Sequence, residues 1–232
     1  MDITVIMDIT VITVVDVPAR VEVAYLLVGK YVKTLLEETM PTVKLAAADT
    51  AGRALDVAER LVQVRGFNGV SYADVVAELG ITKAALHYHF ASKAALGEAL
   101  IDRYTSRFAA ALDEIDQRLD EAPSKISAYT AIYLDVLRQQ RMCLCGMLAA
   151  EYQTLPAPMQ RAVVRFFELN ETWLEGVLDQ GREAGVLRHR QSAREAAQVA
   201  IGTLEGAMLV ARLHNDPARL EAAADQLLAE LR

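Results

Sequence analysis

The amino-acid sequence predicts an all-α protein, and three observations support this fold class. Beyond residue 49, apolar residues recur at spacings of three and four, the period of one face of an α-helix. Residues that cap helices precede these apolar runs, and glycine or proline follows most of them. The β-branched runs typical of strands stand only near the start of the chain. With 232 residues, of which 53% are hydrophobic, the chain is long enough to bury a core without disulfides or metal.

Residues 1–47 form an atypical N-terminal extension. The hexapeptide MDITVI at residues 1–6 returns at residues 7–12, ahead of a β-branched run of strand-like composition. Residues 21–38 can form a short helix, and a polar, alanine-rich lead-in follows. Two interpretations stay open: residues 1–39 are a real extra element, or they are upstream sequence translated ahead of a native start near Met40. We assign the extension no function.

Two helices with clear end signals follow. Thr50 is expected to cap the first helix, which closes at Arg65 and Gly66. Ser71 and Asp74 have the spacing of a capping box and start a second, short helix that Gly80 ends. The apolar face of the first helix consists of Ala51, Leu55, Ala58, Leu61 and Val62.

A third and a fourth helix begin at Thr82 and Ser92, both of which are good N-cap residues. Ile81, directly before the first of these caps, is placed to pack on Leu86 as a hydrophobic staple. The fourth helix is long and stops before Pro123. Its apolar stripe consists of Leu96, Leu100, Tyr104, Phe108, Leu112, Ile115 and Leu119.

The remaining chain divides into further amphipathic helices, each bounded by a cap, a glycine or a proline. They are expected around residues 126–137, over residues 145–152, from beyond Pro156 and Pro158, which break the chain, to Gly185, from Ser192 to about His214, and after the pair Asp216 and Pro217.

Charge and composition restrict the classes of function. The net charge of -7 argues against a protein that coats nucleic acid non-specifically. The window from Leu79 to Gly97 nevertheless contains no acidic residue, while it holds Lys83, Lys93 and two histidines. This window can approach a polyanion.

Cys143 and Cys145 are the two cysteines of the chain, and they lie one residue apart. This spacing is too tight for an ordinary disulfide and differs from the Cys-x-x-Cys of zinc or redox sites. A buried cysteine usually acts as a small hydrophobic residue, and a redox switch is the alternative.

The segment before residue 16 has no basic start or cleavage site of a signal peptide, and no 18-residue uncharged apolar stretch follows it. A location in the reducing cytoplasm, without membrane insertion, is therefore expected.

The second and third helices, joined by a tight glycine turn, predict a helix-turn-helix. At 100° per residue, the third helix has two different sides. The side with Leu86 and Phe90, which also carries Thr82, Ala85 and His89, is mostly apolar and suits a core. The other side offers donors around a small residue and suits a major groove. This side consists of Lys83, Ala84, His87 and Tyr88, and Lys93 at the start of the next helix suits a neighbouring phosphate.

From about Arg53 to Ile101 the sequence resembles the DNA-binding domain of the TetR (tetracycline-repressor) family of bacterial transcriptional regulators. His87 stands where the family usually has a phosphate-contacting tyrosine, and Ala91 where it usually has a proline. The matching motifs are Gly66-Phe67, Ser71, Gly80-Ile81-Thr82-Lys83, Leu86-His87-Tyr88-His89-Phe90 and Ser92-Lys93-x-x-Leu96.

The resemblance implies a DNA-binding domain over residues 48–101 and a helical effector-binding and dimerisation domain over residues 102–232. It also implies a homodimer that places two recognition helices in successive major grooves of a pseudo-palindromic operator, and a small molecule that shifts their spacing. Repression relieved by an unknown effector is the expected mode, with activation as an alternative. Because the domain is slightly acidic, we expect DNA binding that fades quickly with salt unless the extension adds contacts. The expected DNA contacts are Ser71, Tyr72, Thr82, Lys83, Ala84, His87, Tyr88 and Lys93.

Two further sets of residues are candidates in the C-terminal part of the chain. Asn170 lies on an apolar stripe, where a ligand contact and a structural hydrogen bond are both possible. Glu205, alone in an apolar segment, suits either a cationic ligand or an arginine across a dimer interface. The expected ligand pocket consists of Tyr129, Tyr133, Cys143, Met147, Phe166, Phe167, Asn170 and Trp173; the expected dimer interface consists of Gly202, Glu205, Gly206, Leu220, Leu227 and Leu231.

The sequence gives no support for an enzyme. It contains no nucleophile and base pair, no glycine-rich phosphate loop and no cluster with metal-ligand spacing, so neither a metal nor another cofactor is expected. The alternative function is an all-α ligand-binding or cysteine redox-sensing protein that does not bind DNA.

Overall fold

A computed structural model describes residues 50–232, and over this range it confirms the all-α fold: the described chain contains helices and turns and no strand. The predictions for residues 1–49 lie outside the described residues. The helices are α1 over residues 50–65, α2 Tyr72–Leu79, α3 Lys83–His89, α4 Lys93–Arg118, α5 Ala122–Arg138, α6 Leu144–Ala150, α7 Ala157–Glu183, α8 Ala193–Leu213 and α9 Ala218–Leu231, with a 3-10 turn, Tyr152–Thr154, after α6.

The predicted caps are confirmed at four helix starts. The side chains of Ser71, Thr82, Ser92 and Ser192 each accept a hydrogen bond from the backbone amide three residues later. At α2 and α8 an acidic residue at that third position bonds back to the cap amide, which completes a capping box. Each helix start is therefore fixed by residues within its own first turn.

Two predicted helix starts are displaced. Thr50 already lies inside α1, so it is not the cap of that helix. The N-cap of α9 is Pro217 rather than Asp216. The Asp216 carboxylate instead accepts from the backbone nitrogen of Ala218 at 3.2 Å, because an aspartate side chain readily reaches the amide two residues on.

The long helices share one apolar core. α7 packs against α4, α5 and α8, and α9 packs against α5 and α8. The stripe predicted on α4 is buried from Leu96 to Ile115. The buried residues of the first three helices belong to the same core, and Leu86 on α3 is fully buried in it. Fully burying such a side chain stabilises a fold by about 1.5–3 kcal/mol.

Side chains from α8 and from the segment after α6 hold the end of α1. Arg212 donates to the backbone oxygens of Gln63 at 3.2 Å and of Val64 at 2.6 Å. Glu151 accepts from the backbone amides of Phe67 at 2.8 Å and Asn68 at 3.1 Å. The bonds of Arg212 reach carbonyl oxygens in the last turn of α1, which have no partner within the helix, and the bonds of Glu151 hold amides of the loop that follows. We call Arg212 and Glu151 the junction pair, because they connect the first three helices to the rest of the chain.

Among the described helices, α8 is long and apolar enough to cross a membrane, judged by its length and composition alone. In the structure, 39% of its most apolar stretch is buried inside the protein. It packs against α7 and α9 within the fold, and both of its ends carry charged residues. Its apolar composition therefore has a structural explanation in the bundle.

Candidate nucleic-acid interface and ligand site

The third helix presents the face predicted from the sequence. Lys83, Ala84, His87 and Tyr88 are exposed, and Tyr88 is 83% exposed. On the opposite side Leu86 and Phe90 are buried, Ala85 and His89 are half-buried, and Thr82 is exposed. Lys83 makes no ion pair within residues 50–232, so its ammonium group is available to a phosphate or a base. This face of α3 thus presents the hydrogen-bond donors of Lys83, His87 and Tyr88 around the small side chain of Ala84.

Tyr72 fixes α3 in position from underneath. Its side chain is buried, and its hydroxyl group donates to the backbone oxygen of Phe90 at 2.5 Å. Its ring meets the His87 ring edge-on, with 4.7 Å between the centroids. The sequence predicted Tyr72 as a DNA contact; the structure gives its hydroxyl a partner inside the domain. Tyr72 is therefore placed to hold the end of α3 rather than to face solvent.

The starts of α2 and α4 border the same face. A groove of about 500 Å³ separates them, and Ser71, Lys83, His87 and Lys93 are among the residues that line it. The hydroxyl group of Ser71 donates to Asp74 at 2.5 Å, so it is already used in the capping box. Five predicted contacts, these four and Tyr72, thus line one groove.

Lys93 differs from a freely solvated lysine. Its ammonium nitrogen lies 4.3 Å from the centre of the Phe67 ring, a cation-π contact. Burial lowers the pKa of Lys93, and the nearby carboxylates of Glu151 and Asp74 oppose this effect. The side chain is only half-buried, so it still reaches the groove.

A connected set of polar side chains lies inside the C-terminal helices. The hydroxyl groups of Tyr129 and Tyr133 are 3.0 Å apart, and Tyr129 donates to Oδ1 of Asn170 at 3.0 Å. Nδ2 of Asn170 donates to the backbone oxygen of Phe166 at 2.8 Å. Burial raises the pKa of both tyrosines and keeps them neutral. We call Tyr129, Tyr133 and Asn170, together with Cys143, the polar cluster.

The other predicted pocket residues differ in their contacts and in their burial. Trp173 stacks on Tyr129 with 5.6 Å between ring centroids, and its Nε1 donates to Asp116 at 2.9 Å. Phe166 is buried, while Phe167 is half-buried and meets its ring edge-on. Met147 donates its backbone amide to the backbone oxygen of Cys143 at 3.0 Å, while its sulfur lies 3.7 Å from Nη1 of Arg212. Its side chain therefore belongs to the surroundings of the junction pair.

Glu205 points into the protomer. Its carboxylate lies directly against Gly146 and accepts a hydrogen bond from Cys143. Burial raises the pKa of Glu205 to about 7. Within the protomer its neighbours are Gly146 and Cys143, and an arginine across a dimer interface stays a prediction. Oε1 of this carboxylate is buried and has no hydrogen-bond partner among the described residues.

The predicted interface residues also separate into two groups. Gly202 and Gly206 are exposed on α8. Leu220, Leu227 and Leu231 are buried within the protomer, so these three side chains are already used by its own core.

The sequence analysis missed a stripe of exposed apolar side chains beside the two glycines, because α8 is apolar on nearly all sides. We call this stripe, Val199, Leu209, Val210 and Leu213, the α8 stripe.

Both cysteine side chains are free thiols and buried. Burial raises the pKa of Cys143 and of Cys145, and the Glu205 carboxylate adds to this effect. The thiolate is the reactive form of cysteine. The structure therefore gives both thiols surroundings that suppress reactivity at neutral pH.

Sequence reasoning also missed the junction pair. Nothing local marks Arg212 or Glu151, because each bonds to backbone groups far away along the chain: Glu151 is 84 residues from Phe67 and Arg212 is 149 residues from Gln63. The sequence shows only that these two charged residues lie next to apolar segments.

Comparison with known proteins identifies both parts of the chain. The family model "Bacterial regulatory proteins, tetR family" matches residues 54–100, and "Tetracyclin repressor-like, C-terminal domain" matches residues 122–227. The HTH-type transcriptional repressor NemR of Escherichia coli K12 is 27% identical over 169 residues, which cover 71% of this chain and 85% of NemR.

Solved structures agree with these matches. A TetR-family transcriptional regulator from Agrobacterium tumefaciens is 30% identical, with a TM-score of 0.77 over 80% of this chain and 98% of that chain. A TetR regulator from Legionella pneumophila is 34% identical, with a TM-score of 0.72 over 78% and 96%. The chain therefore belongs to the TetR family of DNA-binding transcriptional regulators.

Proposed function

We propose that this protein is a homodimeric, cytoplasmic repressor that binds a pseudo-palindromic operator through α3 and leaves it when a small-molecule effector binds the C-terminal helices. The observation that carries the proposal is the exposed face of α3. Lys83, His87 and Tyr88 direct donors outward around Ala84, while Leu86 and Phe90 hold the helix to its own domain. This arrangement suits a helix that lies in a major groove.

A gel shift with the promoter region of the protein's own gene tests operator binding. We expect Lys83→Ala and Tyr88→Ala to weaken retardation, because each removes one contact from both copies of α3. Arg161→Ala is the matched control, since Arg161 is exposed on α7 and makes no ion pair in the described chain. Equal retardation by all four proteins would disprove the proposal.

The α8 stripe supports the proposed homodimer. Val199, Leu209 and Leu213 are 56%, 60% and 80% exposed, and they share one side of α8 with Gly202 and Gly206. A methyl group built on either glycine would meet nothing within 4 Å inside the protomer. Small residues let a second helix approach closely, and an exposed apolar stripe on a helix is stabilised by such a partner.

The polar cluster supports the proposed effector site. It is buried beside α6, and the chain that leaves α6 reaches the first three helices through Glu151. An effector that favours another position of α6 would change the spacing of the two α3 helices by population shift. The coupling is reciprocal, so operator DNA would weaken effector binding by the same factor.

The buried thiols weigh against the alternative of a redox sensor without DNA binding. Their raised pKa disfavours the thiolate. A mild alkylating reagent applied to the native protein tests this point. Rapid modification of either thiol would restore the redox hypothesis.

A further inference from the structure

A cleft that opens to solvent lies where α1, α4 and α5 meet. Glu59 and Gln63 line it from α1, Tyr104 and Phe108 from α4, and Arg141 from the segment that leads from α5 into α6. The cleft has a volume of about 230 Å³. At about 30 Å³ for each molecule of the size of water, it has room for roughly seven or eight non-hydrogen atoms. A small organic molecule therefore fits.

The charged side chains that line the cleft are two arginines and one glutamate. The charge of Glu59, which is buried, is already compensated. Both of its carboxylate oxygens accept from Nη2 of Arg107 at 2.5 Å, and Oε2 also accepts from Arg103 at 3.3 Å. A carboxylate paired in this way has little attraction left for a cationic ligand. The second lining arginine, Arg141, has no such partner.

Arg141 forms no ion pair with any of residues 50–232. Its guanidinium group donates instead to two neutral amide oxygens: Nη1 donates to Oε1 of Gln63 at 3.4 Å, and Nη2 donates to Oε1 of Gln139. The side chain is half-buried, so water screens its charge less than that of a fully exposed arginine. The cleft thus contains a positive charge that an anion can neutralise.

The cleft also offers donors that lack an acceptor. Nε of Arg141, Nη1 of Arg107 and Nε2 of Gln63 donate to no group of residues 50–232, although Gln63 is only 1% exposed. The side-chain oxygens of Glu59, Gln63 and Gln139 already have donors. An incoming molecule therefore has to bring acceptors, and a carboxylate matches a guanidinium group with two parallel hydrogen bonds.

The rest of the lining includes four apolar side chains. They are Phe108 and Ala111 on α4, and Ile132 and Val136 on α5. Phe108 is buried and the other three are half-buried. Covering such side chains with an apolar group removes their surface from water and favours binding. A ligand that suits the whole cleft thus has an acidic end and a short apolar tail.

We propose that the effector is a small monocarboxylate with a short aliphatic tail, that it binds in this cleft, and that Arg141 is its anchoring residue. The inference rests on the proposed function, because it names the place and the chemistry of the effector site. The carboxylate would accept from Arg141 and from Nε2 of Gln63, while the tail lies along Phe108, Ile132 and Val136.

The cleft is placed to influence the first three helices. Gln63 lies in the last turn of α1, and its backbone oxygen accepts from the amide of Met142 at 3.2 Å and from Arg212 at 3.2 Å. Arg141 and Met142 belong to the segment that leads into α6. A carboxylate that draws Arg141 away from Gln63 would change how this segment holds α1. Binding in the cleft would then be coupled to the position of α3.

Titration calorimetry and thermal shift with hexanoate test the proposal, because hexanoate matches the cleft in size. Hexanamide and hexylammonium are neutral and cationic probes of similar size, and acetate at the same concentration controls for ionic strength. We expect saturable binding of hexanoate with a raised Tm, and binding of the other probes that is weaker by at least about tenfold.

Arg141→Gln should weaken hexanoate binding at least about tenfold, because it removes the charge and keeps an amide donor. Arg161→Gln is the matched control, since Arg161 is exposed on α7 and makes no ion pair in the described chain, and it should bind hexanoate like the wild type. In a gel shift, hexanoate should release the operator from the wild type and from Arg161→Gln, but not from Arg141→Gln at the same concentration.

Three outcomes would overturn the inference: hexanamide that binds as tightly as hexanoate, undiminished hexanoate binding by Arg141→Gln, or an operator complex that saturating hexanoate leaves intact. The comparison of probes uses the wild type and does not depend on whether the variant folds. Operator binding by a protein that does not bind hexanoate refutes the ligand chemistry alone. Absent operator binding by the protein without any probe refutes the proposed function.

Discussion

At the scale of single residues, the carboxyl group of Glu205 links stability to pH. Burial raises its pKa to about 7 in the folded protein, whereas an unfolded chain loses this proton near the ordinary value of about 4.3. Between these values the folded state holds a proton that the unfolded state has released. The stabilisation is therefore complete below the unfolded pKa and is lost as pH rises through the folded pKa.

We predict that Glu205→Gln removes this part of the pH dependence. The wild type should lose on the order of 3 kcal/mol in the free energy of unfolding from this group between about pH 4 and pH 8, at about 1.4 kcal/mol per pKa unit. Glutamine does not titrate, so the variant should be more stable than the wild type at pH 8. Urea unfolding at several pH values measures this difference. A variant that is less stable than wild type at pH 8 would contradict the assignment.

Single residues also show the limit of motif reasoning. Lys83, His87 and Tyr88 could be assigned to the exposed face because a helical angle alone separates them from Leu86. Tyr72 was placed on the same interface by resemblance, yet its hydroxyl group meets the backbone oxygen of Phe90. That contact joins two helices, so no pattern within one helix could indicate it.

At the scale of helices, the starts could be predicted because capping is local. Ser71, Thr82 and Ser92 bond to amides three residues away, and the sequence shows both partners. Two prolines were less easily interpreted. Pro123 and Pro158 lie in the first turns of α5 and α7, where a missing amide costs no hydrogen bond, so they begin helices rather than interrupt the chain.

Contacts between helices could not be predicted, and the junction pair is the clearest example. Glu151 accepts two amides of the loop after α1, and Arg212 donates to two carbonyl oxygens at the end of that helix. The positive guanidinium group thus meets backbone oxygens, which carry partial negative charge. The negative carboxylate meets backbone amide hydrogens, which carry partial positive charge. These bonds connect the segment beside the polar cluster to the loop just before α2.

We predict that Glu151→Gln loosens this loop. Hydrogen bonds to a charged group contribute about 1.5–3 kcal/mol, and a neutral amide contributes less. The backbone amides of Phe67 and Asn68 should therefore exchange with deuterium at least about tenfold faster in the variant. Hydrogen exchange followed by mass spectrometry measures this rate.

The control for this experiment is Glu168→Gln, which lies on the exposed side of α7 and has no contact with the loop. Exchange of the Ala54 amide, inside α1, should stay slow in both variants. Unchanged protection of Phe67 in Glu151→Gln would mean that this carboxylate does not hold the loop.

At the scale of the whole molecule, the α8 stripe determines the proposed dimer. We predict that Leu209→Glu gives a monomer, because it places a charge in the middle of an apolar surface that a second copy would cover. The side chain is 60% exposed in the protomer, so the variant should unfold at nearly the wild-type temperature. Light scattering during gel filtration measures the mass.

Val164→Glu is the matched control, because Val164 is an apolar side chain on α7 that is 42% exposed and lies outside the α8 stripe. This variant should keep the mass of the wild type. A dimeric Leu209→Glu protein would show that another surface pairs the protomers. Loss of the dimer should also abolish specific retardation of the operator, since one α3 makes few base contacts.

The salt dependence of operator binding reports how many cations of the molecule contact phosphate. The described interface of one protomer offers Lys83 and Lys93, and neither forms an ion pair in the described chain. A dimer therefore contributes about four phosphate contacts, so the logarithm of the binding constant should fall with the logarithm of salt with a slope of about -3.6. Binding then weakens roughly 150-fold between 50 and 200 mM salt. The acidic net charge of -7 leaves little further attraction to offset this loss.

We predict that Lys83→Ala reduces this slope by about 2, because it removes one cation from each protomer, while Arg161→Ala leaves it unchanged. Fluorescence anisotropy with labelled operator at four salt concentrations measures both slopes. A wild-type slope near -8 would contradict a footprint limited to α3 and the start of α4. It would require about five more phosphate contacts, and residues 1–39, which carry Arg20, Lys30 and Lys33 in each protomer, could supply them. Removing residues 1–39 would then have to return the slope to about -4.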